Sequence, residues 1–254
     1  MKKLFVILLL LFPLMGNCQT TQTESLIWSD EFNYNGLPDP SKWSYEQGFV
    51  RNREPQYYTK ERPENAVVTD GNLVITARRE DYNEAKYTSA SIVTKGKFSF
   101  TYGRVEVRAK LPEGTNVWPA IWTLGISGKW PHCGEIDIME YWGTNPNSVS
   151  ANVHTGDYNH SKGTGRGGKI TYQEPWKDFH IYALEWYPDK LDFYFDDTMY
   201  YSCIKKGEGI GEWPFDSPQY LLINLALTAG KTGIDDSIFP AKYKIDYVRI
   251  YKFE

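Results

Sequence analysis

The stretch Lys97-Phe98-Ser99-Phe100-Thr101-Tyr102-Gly103-Arg104-Val105-Glu106-Val107-Arg108-Ala109-Lys110-Leu111 alternates apolar and polar side chains on both sides of Gly103. A period of two puts every second side chain on one face of an extended chain, so the run predicts a long half-buried strand kinked at the glycine. The same alternation follows the turn pair Asp70-Gly71 in Asn72–Arg78 and recurs over 148–154, 180–187, 191–195, 219–227 and 243–253. Helical periodicity longer than two turns is absent, and no repeat, low-complexity tract or charge block interrupts residues 24 to 254. Many strands joined by short turns predict an all-β fold, a jelly-roll sandwich of two antiparallel sheets. A chain of 254 residues suits one such domain, taken here as residues 19–254.

The net charge of −4 leaves no basic excess for a nucleic-acid backbone. Aromatic residues make up 16% of the chain, with 9 Trp, 19 Tyr and 12 Phe. Large sheets absorb many Tyr and Phe, but nine Trp lean toward a groove in which flat rings stack on sugars. At the N-terminus Lys2 and Lys3 precede the apolar run Leu4–Leu14, whose 11 residues are too short for a membrane span. The pattern fits a signal peptide ending at Cys18, with Gly16 and Cys18 as the small residues before Gln19. Lipid attachment at Cys18 is the alternative, disfavoured by Asn17. Export is therefore expected, as a monomer that does not span the membrane; loss of Lys2 and Lys3 takes the charge from −4 to −6. Cys133 and Cys203 then form one disulfide or stay as buried thiols.

The chemistry is concentrated in Gly134-Glu135-Ile136-Asp137-Ile138-Met139-Glu140. On a regular strand Glu135 and Asp137 share a face, while Glu140 would fall among the isoleucines, where a carboxylate costs several kcal/mol unless paired. One extra residue near Ile138-Met139, a β-bulge, returns Glu140 to the face of the other two acids. Three adjacent acids raise at least one pKa, and a retaining glycosidase needs one ionised and one protonated carboxyl close together. A solvated acidic strand or a metal site are the other readings; the interleaved Ile and Met disfavour the first, and the four His residues, none at zinc-site spacing, disfavour the second.

These residues resemble the signature E-[IL]-D-[IV]-[MV]-E of glycoside hydrolase family 16. Similarity also covers Trp28-Ser29-Asp30-Glu31-Phe32, Glu54-Pro55-Gln56-Tyr57-Tyr58, Tyr102-Gly103-Arg104, Trp118-Pro119-Ala120-Ile121-Trp122, Trp213-Pro214-Phe215-Asp216 and Asp246-Tyr247-Val248-Arg249-Ile250-Tyr251. The resemblance implies a jelly roll with a concave cleft and double displacement with retention. It makes Glu135 the nucleophile, Asp137 its electrostatic helper and Glu140 the acid/base. The Met-containing form is closer to the laminarinase-like branch than to the lichenase branch.

Trp118 and Trp122, four apart on a strand, share a face as core anchors or as sugar platforms; the resemblance implies platforms. Trp142 is expected on the face of Glu140, His154 beside the acids, and Asn52 and Glu54 toward the non-reducing side of the cleft. The Gly-rich segment Lys162–Lys169 lacks a phosphate-loop ending and reads as a mobile cleft-edge loop. The family also implies a structural calcium near Glu31, Gly71 and Asp246, with no cofactor required for the reaction. One departure concerns Leu225–Pro240, where laminarinase-like relatives carry G-G-x-W-G-G: the Trp and paired glycines are missing. The expected activity is endo-hydrolysis of β-1,3- or β-1,3/1,4-glucan. The alternative is an endo-β-1,4-galactosidase acting on polylactosamine, keratan or mucin-type O-glycans. A non-catalytic glycan-binding protein is more remote, since all three acids are intact.

Overall fold

A computed structural model describes residues 23–229 and 233–254. The expected signal peptide 1–18, its lipid alternative at Cys18, and Gly230, Lys231 and Thr232 lie outside the described residues. In chain order the strands begin with β1 (Glu24–Asp30), β2 (Ser44–Tyr45), β3 (Gln56–Tyr58), β4 (Ala66–Thr69), β5 (Asn72–Tyr82) and β6 (Ala85–Ser89). Then come β7 (Ser91–Val93), β8 (Gly103–Lys110), β9 (Val117–Gly125), β10 (Glu135–Tyr141), β11 (Ser148–His154) and β12 (Arg166–Thr171). The last are β13 (His180–Trp186), β14 (Lys190–Phe195), β15 (Thr198–Ile204), β16 (Gln219–Leu227) and β17 (Ala241–Phe253).

They build two sheets, as the alternating pattern predicts. A ten-stranded sheet runs β15-β14-β13-β8-β17-β5-β6-β3, with β1 added to β17 and β4 to β5. A seven-stranded sheet runs β12-β11-β10-β9-β16-β7-β2. Pairing is antiparallel except between β3 and β6. Between the sheets lies one large core that includes Trp43, Trp186, Tyr182, Phe193, Phe215 and the inward residues of β8, β10 and β17. Each such side chain contributes about 1.5–3 kcal/mol by leaving water. No helix among the described residues is long and apolar enough to cross a membrane.

The Lys97–Leu111 run is not one kinked strand. Phe100 bridges to Gln219 of the seven-stranded sheet, whereas β8, in the other sheet, begins only at Gly103. Between them Tyr102 and Gly103 both take positive φ, 62° and 104°, and turn the chain from one sheet to the other. A side chain at Gly103 would place Cβ 2.0 Å from the Tyr251 carbonyl oxygen, so only glycine permits this turn. The alternation survives because Phe100 and Val105 both face the shared core. The Lys162–Lys169 segment also differs from expectation, since Arg166–Thr171 is an edge strand. Cys133 and Cys203 are free, buried thiols, the second of the two readings, and burial pushes both pKa values up.

Candidate active site

The seven-stranded sheet carries a cleft of about 380 Å³ on its outer face. Alternation supplies its floor: Trp118, Ala120, Trp122 and Leu124 from β9, and Tyr220, Leu222, Asn224 and Ala226 from β16, line the cleft. Their odd-numbered neighbours Ile121, Leu221, Ile223 and Leu225 enter the core. Glu135, Asp137 and Glu140 of β10 reach the same cleft. The expected bulge brings them there. Against β9 the pairing moves from Asp137↔Trp122 to Met139↔Ile121, and against β11 from Asp137↔Asn152 to Glu140↔Ser150. Ile136, Ile138 and Met139 stay in the core while Glu140 rejoins the acidic face.

Each acid has its own partners. Trp130 Nε1 donates to Glu135 Oε2 at 2.7 Å. Glu140 accepts from Trp118 Nε1 at 3.1 Å and from Asn152 Nδ2 at 2.6 Å. His154, opposite Glu135 on β11, places Nε2 3.3 Å from Asp137 Oδ2 and 3.7 Å from Glu135 Oε1. Burial raises the pKa of all three acids. The charge of Asp137 pushes Glu135 further up, and that of Glu140 pushes Asp137 up, so the cluster holds protons that isolated carboxyls would lose. Hydrogen bonds from Asn152 and Trp118 act in the opposite sense on Glu140.

Trp118 and Trp122 both line the cleft, but in different ways. Trp142 backs Trp118, stacked with centroids 3.9 Å apart and planes 24° apart, rather than lining the cleft itself. Trp122 belongs to a small apolar cluster with Val93, Ala120, Tyr220 and Leu222, separate from the main core. Its Nε1 donates to Asn224 Oδ1 at 2.7 Å, and the Arg51 guanidinium lies over its ring, 4.8 Å from the centroid. Asn52 and Glu54 line the cleft from the loop before β3. Glu54 is buried and accepts from Asn52, Gln56 and Tyr58; burial raises its pKa, and nearby Arg51 lowers it.

Among the lining residues that escape the sequence reading are Glu46, Arg51, Trp130 and His160. Trp130 comes from the loop before β10 and His160 opens a single 3-10 turn after β11, and the two meet at 5.2 Å between ring centroids. No local pattern marks them; only the strand pairing brings them together.

The residues of the expected calcium site also converge. β1 covers β17 from Val248 onward and β5 covers it up to Ile245, leaving Asp246 and Tyr247 unpaired along that edge. Glu31 directly follows β1, and Gly71 directly precedes β5. The Glu31 carboxylate is held by Arg249 at 2.8 and 3.0 Å, and Asp246 Oδ2 by Arg108 at 2.6 Å. With both carboxylates paired to guanidinium groups, a hard cation here would need main-chain carbonyls and the second oxygen of Asp246 as its donors.

A β-sandwich with three clustered acids on an aromatic-lined cleft has the parts that a glycoside hydrolase needs. The family model of glycosyl hydrolases family 16 matches residues 53–249. The chain belongs to this family. The beta-glucanase of Rhodothermus marinus is 48% identical over 243 residues, covering 90% of this chain and 85% of that protein. The X-ray structure of the laminarinase from Rhodothermus marinus superposes with a TM-score of 0.89 at 47% identity, covering 92% of this chain and 99% of that one. The keratan-sulfate endo-1,4-beta-galactosidase of Sphingobacterium multivorum is 37% identical over 246 residues, covering 92% of this chain and 56% of that protein.

Proposed function

We propose that the protein hydrolyses internal β-1,3- or mixed β-1,3/1,4-linkages of glucan with retention of configuration. The observation that carries this reading is the bulged strand that sets Glu135, Asp137 and Glu140 on one cleft floor. The beta-glucanase and laminarinase relatives support glucan as the substrate.

In the first step the ionised Glu135 attacks the anomeric carbon. The bond to the glycosidic oxygen breaks, and protonated Glu140 delivers its proton to that oxygen. In the second step Glu140 takes a proton from water, whose oxygen displaces Glu135 from the sugar. Asp137 lies between the two, and its hydrogen bond with Glu135, which lowers its own pKa against burial, would help set which acid carries the proton. His154 Nε2 stands beside both Asp137 Oδ2 and Glu135 Oε1. No cofactor takes part. Calcium held by Asp246 Oδ1 and the carbonyls of Glu31 and Gly71 would be structural, joining β1, β5 and β17. The charged and apolar N-terminus supports export, and the protein is taken to act as a monomer.

One feature favours a second reading, an endo-β-1,4-galactosidase on polylactosamine, keratan or mucin-type glycans. It is the likeness to the keratan-sulfate endo-1,4-beta-galactosidase of Sphingobacterium multivorum. Product profiles on laminarin and on polylactosamine decide the matter. Short glucose oligomers from laminarin are expected; galactose-ended oligomers from polylactosamine alone would transfer the assignment to the second reading.

A further inference from the structure

The half of the cleft floored by β9 and β16 is walled by the loop between β2 and β3. Gly48 and Tyr58 pair across the base of this loop, exchanging hydrogen bonds of 3.0 Å in both directions. At its tip Asn52 and Arg53 both adopt positive φ, 54° and 53°, a conformation that L residues take only when their surroundings hold it. Just before this strained pair, Arg51 is turned into the cleft.

Its guanidinium is fixed on three sides. Nη2 is paired with Glu46, whose Oε2 also accepts from Ser91 Oγ at 2.6 Å. The plane lies over Trp122 at 4.8 Å and near Tyr58 at 5.9 Å. Trp122 is fixed in turn by Asn224, which donates to Tyr58 Oη at 3.0 Å. Nη1 is buried and finds no acceptor among the described residues. A guanidinium presents five donors in a rigid fork, and a buried donor without an acceptor is costly. The side chain still keeps 20% of its surface exposed where it lines the cleft, so part of the fork is open to a ligand.

We propose that Arg51 is a specificity-determining residue, a guanidinium spread over Trp122 that donates hydrogen bonds to the hydroxyl oxygens of a neutral sugar in this half of the cleft. The inference rests on the glycosidase reading above and deepens it. Glu46 is paired with the positive charge and Glu54 stands close to it, so a sulfated or carboxylated sugar gains little there. A neutral ring offers oxygens as acceptors without that penalty. Donors in a fixed plane also discriminate between axial and equatorial hydroxyls, which a bare indole face does less sharply.

The test is equilibrium binding of a β-1,3-gluco-oligosaccharide and an N-acetyllactosamine oligosaccharide to Glu135→Gln, which keeps turnover out of the readout. Adding Arg51→Met is expected to weaken the preferred sugar by about tenfold or more, the scale of a lost charge-assisted hydrogen bond, and to shrink the preference between the two. Removing Arg51 also strands Glu46, so the same measurement is made with Glu46→Gln added. Restored melting temperature with affinity still low supports a sugar-reading role. Affinity unchanged by Arg51→Met, affinity that returns together with the melting temperature, or failure of both sugars to bind the Glu135→Gln parent overturns it. Wild-type turnover of the polymers, followed separately, tests the hydrolase reading itself.

Discussion

Asn152 on β11 donates from Nδ2 to Glu140 Oε2 at 2.6 Å, reaching across the strand pair at the bulge that re-aims Glu140. Because the bulge shifts the register, Asn152 lies opposite Asp137 in the ladder yet serves Glu140 with its side chain. The bond stabilises the ionised form and lowers the Glu140 pKa against the larger effect of burial. Asn152→Ala is therefore expected to move the alkaline limb of the kcat/KM profile to higher pH. A hydrogen bond to a charged group is worth about 1.5–3 kcal/mol, so kcat should fall roughly 10- to 100-fold. An unshifted pH profile would show that this bond does not tune the acid.

Glu135→Gln and Glu140→Gln should fail in different ways. Without the Glu135 nucleophile no glycosyl-enzyme forms, and every substrate is left intact. Without the Glu140 proton, attack by Glu135 still proceeds when the leaving group needs none, as with a dinitrophenyl glycoside. Pre-steady-state release of the phenolate by Glu140→Gln, and none by Glu135→Gln, is the expected pattern. The reverse pattern would exchange the two roles.

The carboxylate strand was legible because one residue broke a strict rule: Glu140 could not share a face with Ile136 and Ile138 at tolerable cost, and a bulge was the local remedy. Most strands were legible for the same reason, since a half-buried sheet enforces a period of two. The Lys97–Phe100 segment misled because alternation records burial, not sheet membership; Phe100 and Val105 face one core from opposite sheets. Arg51 and Glu46 were illegible because their partners, Trp122 and Ser91, lie far along the chain. Trp130 comes from an irregular loop and His160 from a single 3-10 turn, too short for any periodicity to be read.

The buried acids also link stability to pH. Burial and Asp137 raise the folded-state pKa of Glu135 above its ordinary value of 4.5. Between the unfolded and folded values the native state holds more protons than the unfolded one, so stability falls as pH rises through this window. Glu135→Gln removes a charge that the fold must suppress. Its melting temperature should exceed that of the wild type by about 2–5 °C at pH 7, and the gap should close near pH 4. Calorimetry of both proteins at the two pH values checks the sign. A gap that widens toward acid would mean that Glu135 is stabilised as a carboxylate.

Calcium should act on stability without acting on turnover. Its expected donors border Asp246–Tyr247, the stretch of β17 that neither β1 nor β5 covers, whereas the acids lie on β10 of the other sheet. At a concentration a hundredfold above its dissociation constant, an ion bound only to the native state adds about 2.7 kcal/mol, or roughly 5–10 °C in melting temperature. EDTA should reverse that gain and leave kcat at 25 °C unchanged. Asp246→Asn is expected to weaken the calcium response and to lose the ion pair with Arg108, so the comparison is made within that variant with and without calcium. No calcium-dependent shift in the wild type would remove the site.

Gly167 couples the edge of the sheet to the chemistry. It pairs with Asn152 across β11 and β12, and a Cβ there would lie 2.1 Å from Asn152 Oδ1 and 2.5 Å from the Ala151 carbonyl oxygen. The backbone oxygen cannot yield, so Gly167→Ala must displace the edge strand or rotate the Asn152 amide. An overpacked site of this kind costs about 1–3 kcal/mol, within reach of a stable domain. The hydrogen bond to Glu140 depends on the same amide and tolerates far less movement. Gly167→Ala should thus remain folded by circular dichroism while losing activity to the level of Asn152→Ala, and the Gly167→Ala/Asn152→Ala pair should be no worse than Asn152→Ala alone. Additive losses in that double-mutant cycle would mean that the glycine acts on the cleft by another route.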